Sequence, residues 1–174
     1  MPDAPQTLVL RRHRDLEGRH YEAHARRVLL TLIGLVPLLA LFNVFGQRPQ
    51  SASASTPAAT LTVSAPTEAR SGLIYSARFR IDARHELKNA TIVLDPSWAD
   101  GYTVNGVAPQ PLSESSRNGR ISYDFGHLAA GRSLLFFLSL QINPTNFGHK
   151  TQNVDLYDGQ THLASVYRTI TIFP

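Results

Sequence analysis

The 174-residue chain has no cysteine. That removes disulfides, zinc thiolates, iron–sulfur clusters and a cysteine nucleophile, so a domain working outside the cytoplasm must hold together by packing alone. Lysine is almost missing, with Lys88 and Lys150 against fifteen arginines, a bias of GC-rich bacterial genomes. A concentrated basic stripe is missing as well. The formal charge is +4, and residues 47–174 carry eleven basic and nine acidic side chains, or +2. That balance argues against a nucleic-acid partner, which needs positive charge gathered on one surface. No Gly-rich phosphate loop, dinucleotide fingerprint or G-x-S-x-G serine occurs, so neither a cofactor nor catalysis is expected.

Charge is absent altogether from residues 28–46, VLLTLIGLVPLLALFNVFG. Nineteen residues rising about 1.5 Å each span roughly 28 Å, close to the hydrocarbon thickness of a bilayer. Arg11, Arg12, Arg14, Arg19, Arg26 and Arg27 precede the run, and only Arg48 follows it closely. By the positive-inside rule the N-terminus is cytoplasmic and the C-terminal part lies outside, periplasmic or extracellular. The run is longer than a signal-peptide core, and the A-x-A sequence Ala52-Ser53-Ala54 lies eight residues past Gly46, which favours an uncleaved anchor in the cytoplasmic membrane. With no ionisable residue in the span, an ion or proton path is not expected.

The expected organisation is a basic cytoplasmic tail at 1–27, a transmembrane helix at 28–46, a flexible Ser/Ala/Pro-rich linker at 47–59, and an outer domain at 60–174. In the tail, His20 and His24 share a helical face, too few ligands for a metal site. Beyond the linker the apolar period changes to two. Residues 72–82 alternate, with Leu73, Tyr75, Ala77, Phe79 and Ile81 on one face and Ser76, Arg78 and Arg80 on the other. Further strands are expected at 60–66, 89–95, 102–104, 120–126, 133–143, 153–159 and 161–173. Asn105-Gly106, Asn118-Gly119 and Asp158-Gly159 read as hairpin turns. Seven or eight strands with frequent turns predict an all-β antiparallel sandwich of immunoglobulin-like kind.

The run RISYDFGHLAAGRSLLFFLSLQINP places a Gly-x-Leu-x-x-Gly turn between two strands, and LKNATIVLDPSWADGYTV precedes it. Together they resemble the immunoglobulin-like domains of bacterial surface proteins of the CARDB and related conserved-repeat type. The resemblance covers about residues 60–174. It implies adhesion, spacing or docking without catalysis, and it implies that Leu128 plugs the core between Gly126 and Gly131.

Candidate contact residues are few. Arg78 and Arg80, with Arg84 just beyond, make a polar stripe suited to an acidic partner or lipid headgroups. Trp98 and Tyr102 are candidates for an aromatic platform that binds a glycan. His85 near Glu86, His127 near Asp124, His149, and His162 near Asp158 are the histidines nearest to acid–base arrangements. Asp155 and Asp158 only loosely resemble a calcium loop. The expected function is therefore a membrane-anchored accessory protein that presents its domain to a membrane complex or envelope component. The second reading is a carbohydrate or cell-wall binding module using Trp98 and Tyr102.

Overall fold

Alternation of polar or small residues with apolar ones marks the longest strands of the chain beyond residue 49, such as Ile74–Ala83 and Ser133–Ile142. The computed structural model describes residues 20–41 and 48–174, without the side chains of His20 and Glu22. It divides into two units, Met1–Gly46 and Gln47–Pro174.

In the first unit, helix α1 covers His20–Leu41 with Pro37 inside it. Its segment Ala23–Leu41 is long and apolar enough to cross a membrane. Of the expected tail at 1–27, residues 20–27 are helical and continue into the expected span; residues 1–19, and the last part of the expected span, 42–46, lie outside the described residues.

The second unit is an all-β sandwich of thirteen strands. One five-stranded sheet has the order β1 (Pro49–Ser55), β2 (Ala59–Pro66), β4 (Ile74–Ala83), β9 (Ser133–Ile142), β6 (Tyr102–Ala108). The other has the order β12 (Thr161–Val166), β11 (Val154–Asp158), β5 (Ala90–Leu94), β8 (Arg120–Asp124), β7 (Ser113–Arg117). A three-stranded sheet joins β10 (Gly148–Thr151), β13 (Thr169–Phe173) and β3 (Glu68–Arg70). The β13–β3 pair is parallel, and every other strand pairing is antiparallel.

The inward residues of the two large sheets form the core. Phe79 and Phe136 are cross-strand partners in the first sheet, with ring centroids 5.1 Å apart. Tyr123 of the second sheet meets Phe136 at 5.3 Å, and Trp98 meets Phe79 at 5.4 Å. Tilted aromatic contacts of this kind add to the area that each ring removes from water.

Four sequence expectations are corrected. The expected spacer at 47–59 is not one in its described part, 48–59: Pro49–Ser55 is the edge strand β1, in register with β2 from Pro49↔Pro66 to Ser55↔Thr60. Of its side chains Ala52 and Ala54 pack against the core, from an edge where little bulk is needed. Asn105-Gly106 makes no hairpin; the register shifts there inside β6, and the pair forms a bulge against β9. The run 161–173 is two strands, because the chain leaves one sheet and enters another at Tyr167 and Arg168. Strands β3, β7 and β10, short or almost wholly polar, have no apolar alternation to announce them.

The expected Gly-x-Leu-x-x-Gly turn does form. Gly126 and Gly131 adopt positive φ (70° and 75°), and Leu128 pairs with Leu87 in an isolated bridge. Leu128 packs, half-buried, against the core.

Candidate interaction face

The outward positions of the first sheet form rows across its strands. One row runs Ser51, Ser64, Arg78, Phe137, Ala108. The next runs Ser53, Thr62, Arg80, Leu135, and a third runs Ser55, Thr60, Asp82, Ser133. Five strands about 4.8 Å apart give a face roughly 19 Å wide. Hydroxyls occupy most of it, and its five strands hold only three charged residues, Arg78, Arg80 and Asp82.

Those three charges are not equivalent. Arg80 Nε donates to both carboxylate oxygens of Asp82, at 2.9 and 3.0 Å. Ser133 Oγ also donates to Asp82. Burial pushes the Asp82 carboxyl up, but these bonds from Ser133 and Arg80 outweigh it and hold the group below its usual value. Arg78 makes no ion pair among the described residues. Its guanidinium lies 5.4 Å from the centroid of the Phe137 ring. A shallow groove of about 230 Å³ opens beside it, lined by Ser51, Thr62, Ser64, Arg78, Arg80 and Leu135. The groove thus offers one uncompensated cation, several hydroxyls and an apolar wall.

Trp98 and Tyr102, expected as a glycan platform, are in the interior at 1% and 7% exposure. Trp98 follows Asp95-Pro96 in a single 3₁₀ turn that turns the indole inward. Its Nε1 donates to the Asn153 carbonyl at 3.1 Å, and the Arg168 guanidinium lies 5.7 Å from its ring. Tyr102 shares Gln152 with Tyr75: the Gln152 Nε2 donates to both hydroxyls, at 3.0 Å for Tyr75 and 3.4 Å for Tyr102. Burial pushes both phenols up. Neither Trp98 nor Tyr102 presents a ring face to a sugar, so the platform is withdrawn.

Gln152 and Arg168 were not singled out from sequence. They face each other where the β10–β11 and β12–β13 segments change sheets, and the Gln152 N–H donates to the Arg168 carbonyl at 2.8 Å. Arg168 reaches inward to donate to the Ala65 and Pro66 carbonyls at 2.9 and 2.7 Å. Burial lowers its pKa. The cluster pins the corner of the fold.

The histidine arrangements differ from expectation. His127 Nε2 meets Glu86 rather than Asp124, at 2.8 Å. His149 meets Thr171. His162 Nε2 is 2.8 Å from Ser165 Oγ, which donates to Asp155 at 2.6 Å. In that order the serine gives its hydrogen to the carboxylate instead of the imidazole, the reverse of what an activated nucleophile needs. Asp158 accepts from the Asn89 N–H, as a loop-fixing residue does. No group of three or more metal-ligating side chains occurs among the described residues.

Neither a family model nor a curated protein matches the chain. Similar solved structures are cohesin and cupredoxin-like all-β domains. The third cohesin ScaC of Acetivibrio cellulolyticus, solved with a dockerin, is 10% identical with a TM-score of 0.41, covering 62% of this chain and 94% of its own. A non-cellulosomal cohesin of Archaeoglobus fulgidus is 14% identical with a TM-score of 0.39, covering 73% and 92%. The cupredoxin domain of amoB from Nitrosocaldus yellowstonii is 12% identical with a TM-score of 0.37, covering 58% and 56%. Likenesses this distant transfer no residue role and no partner.

Proposed function

We propose that this protein is a non-catalytic interaction module held at the outer side of the cytoplasmic membrane by its N-terminal helix. It docks an acidic protein partner, a membrane complex or envelope component, on the outer face of the β1-β2-β4-β9-β6 sheet. The arginine-flanked apolar run supports the anchor and its orientation. The conserved-repeat resemblance agrees with docking rather than catalysis.

One observation carries the docking face. Arg78, stacked on Phe137, is a cation without an anion among the described residues, set in a groove of hydroxyls. A partner carboxylate brought there completes a charge-assisted pair, and the surrounding Ser and Thr hydroxyls supply further bonds. Leu135 and the edge of Phe137 give the contact its apolar part.

The test is extraction in mild detergent from the native membrane, followed by purification of the full chain. A stoichiometric acidic partner is expected with the wild-type chain. Arg78→Glu is expected to lower its recovery by at least about tenfold, as for loss of a charge pair worth 1.4 kcal/mol or more. Recovery of a lone monomer from both preparations would overturn the proposal.

A further inference from the structure

The sandwich has two poles, and four of the eight exposed large apolar side chains among its described residues, Leu73, Ile74, Phe147 and Phe173, gather at one of them. Register fixes which residues share that pole. Pro49 pairs with Pro66, Ile74 with Gln141, Tyr102 with Ile142, and Phe173 with Arg70. Gly72 N–H donates to Ile142, and Ser71 N–H donates to Phe173. Gly148 opposes Ile172, so Phe147 and Phe173 end neighbouring strands. The first residues of β1 and β4 and the last of β2, β9 and β13 therefore meet there. Phe147 is 64% exposed and Phe173 48%; Leu73 and Ile74 are exposed with them, and so is Arg70. At the other pole Leu112 is the large apolar side chain left exposed among the described residues.

The same pole holds Pro49, the first residue of β1. Strand β1 begins at Pro49, only three positions after Gly46 ends the uncharged run. Three residues reach at most about 11 Å. A folded domain starting that soon after a membrane span has little room to stand away from the headgroups. An exposed cluster of Phe, Leu and Ile suits an interface that accepts apolar side chains, and Arg70 beside it, though accompanied by the exposed Glu68, can reach lipid phosphates.

We infer that this pole rests on the lipid surface, with Leu73, Phe147 and Phe173 inserted at the headgroup boundary and Arg70 among the lipid phosphates. The inference depends on the membrane-anchor reading. It adds that the domain has a fixed underside, leaving the Arg78 face, on the flank of the sandwich, open to a partner.

The absence of cysteine makes the test direct. Single-cysteine variants Phe147→Cys, Phe173→Cys and Leu73→Cys of the full chain carry an environment-sensitive fluorophore in vesicles of phosphatidylcholine and phosphatidylglycerol. Ala130→Cys, exposed at the opposite pole, is the control, and Leu35→Cys reports on the helix. Headgroup-bound nitroxide is expected to quench the three pole sites and not position 130, with a matching loss of quenching by aqueous iodide. If Leu35→Cys is quenched by acyl-chain nitroxide while the pole sites behave like position 130, the inference fails and the anchor stands. If Leu35→Cys escapes lipid quenching, the anchor fails and the inference falls with it. Pole sites shielded from iodide but untouched by lipid nitroxide would mean a protein contact, a second copy or a partner, and would also overturn it.

Discussion

Arg78 and Arg80 stand two positions apart on one face of β4, and their cross-strand neighbours give them different work. Arg80 faces Thr62 and Leu135 and turns along its own strand to Asp82. Arg78 faces Ser64 and Phe137 and makes no ion pair among the described residues. Asp82 is the residue that separates the two roles, and its titration can be read. A carboxyl whose folded pKa is depressed adds stability above its unfolded value, and that stability is lost as pH falls through the folded value. Asp82→Asn should therefore destabilise the fold by roughly 0.2–1 kcal/mol at pH 7, the range of exposed ion pairs. The gap to the wild type should close as pH falls below 3.8, the ordinary value for this group. Urea unfolding of both chains at neutral and acid pH checks this, and a gap undiminished in acid would contradict the assignment.

Among the elements, β1 is the most informative, because composition alone misplaces it. PQSASAS has no residue larger than glutamine and no strong strand former, so it reads as a spacer. Its Ala52 and Ala54 nevertheless alternate toward the core, and the whole strand hydrogen-bonds to β2. Placing Asp at position 54 puts a carboxylate against that apolar wall, and no cation of the strand answers it. Ala54→Asp is expected to cost about 1–3 kcal/mol, whereas Ser53→Asp, on the outward row, should stay within about 0.5 kcal/mol. Equal effects in chemical denaturation would return the segment to a loose linker.

The same contrast shows what the sequence makes legible. Strands β4 and β9 are visible because large apolar residues mark their inward positions, and Asn118-Gly119 is a turn because both residues take positive φ. Strand β7, SESSR, is invisible because no side chain of it is buried. The stripe of Arg78 and Arg80 is readable from period two alone. Its groove is not, since Ser51, Thr62 and Leu135 come from three other strands whose pairing only the sheet order supplies. Trp98 misleads for a related reason: a lone tryptophan after Asp-Pro gives no hint of which way the turn closes. Its interior place depends on Arg168 and Asn153, more than fifty residues away.

For the whole molecule, the division of labour follows from where chemical character is placed. The uncharged stretch offers size and apolarity and little else: no ionisable side chain from residue 28 to 46, and no GxxxG spacing for a close helix partner. The specific features, an unpaired cation, a hydroxyl face and an apolar pole, all belong to the sandwich. On the proposed reading, confining such a domain to a membrane would raise its effective concentration at a neighbouring partner, so a modest contact at Arg78 would suffice. If the helix is only a tether, its sequence is replaceable. Exchanging residues 28–41 for an unrelated uncharged apolar stretch of equal length, with the arginine flank kept, is expected to preserve membrane insertion and change partner recovery by less than about twofold, under 0.5 kcal/mol. Insertion retained with the partner lost would show that the helix makes specific contacts of its own, and the recognition now assigned to the Arg78 face would have to be shared with the membrane.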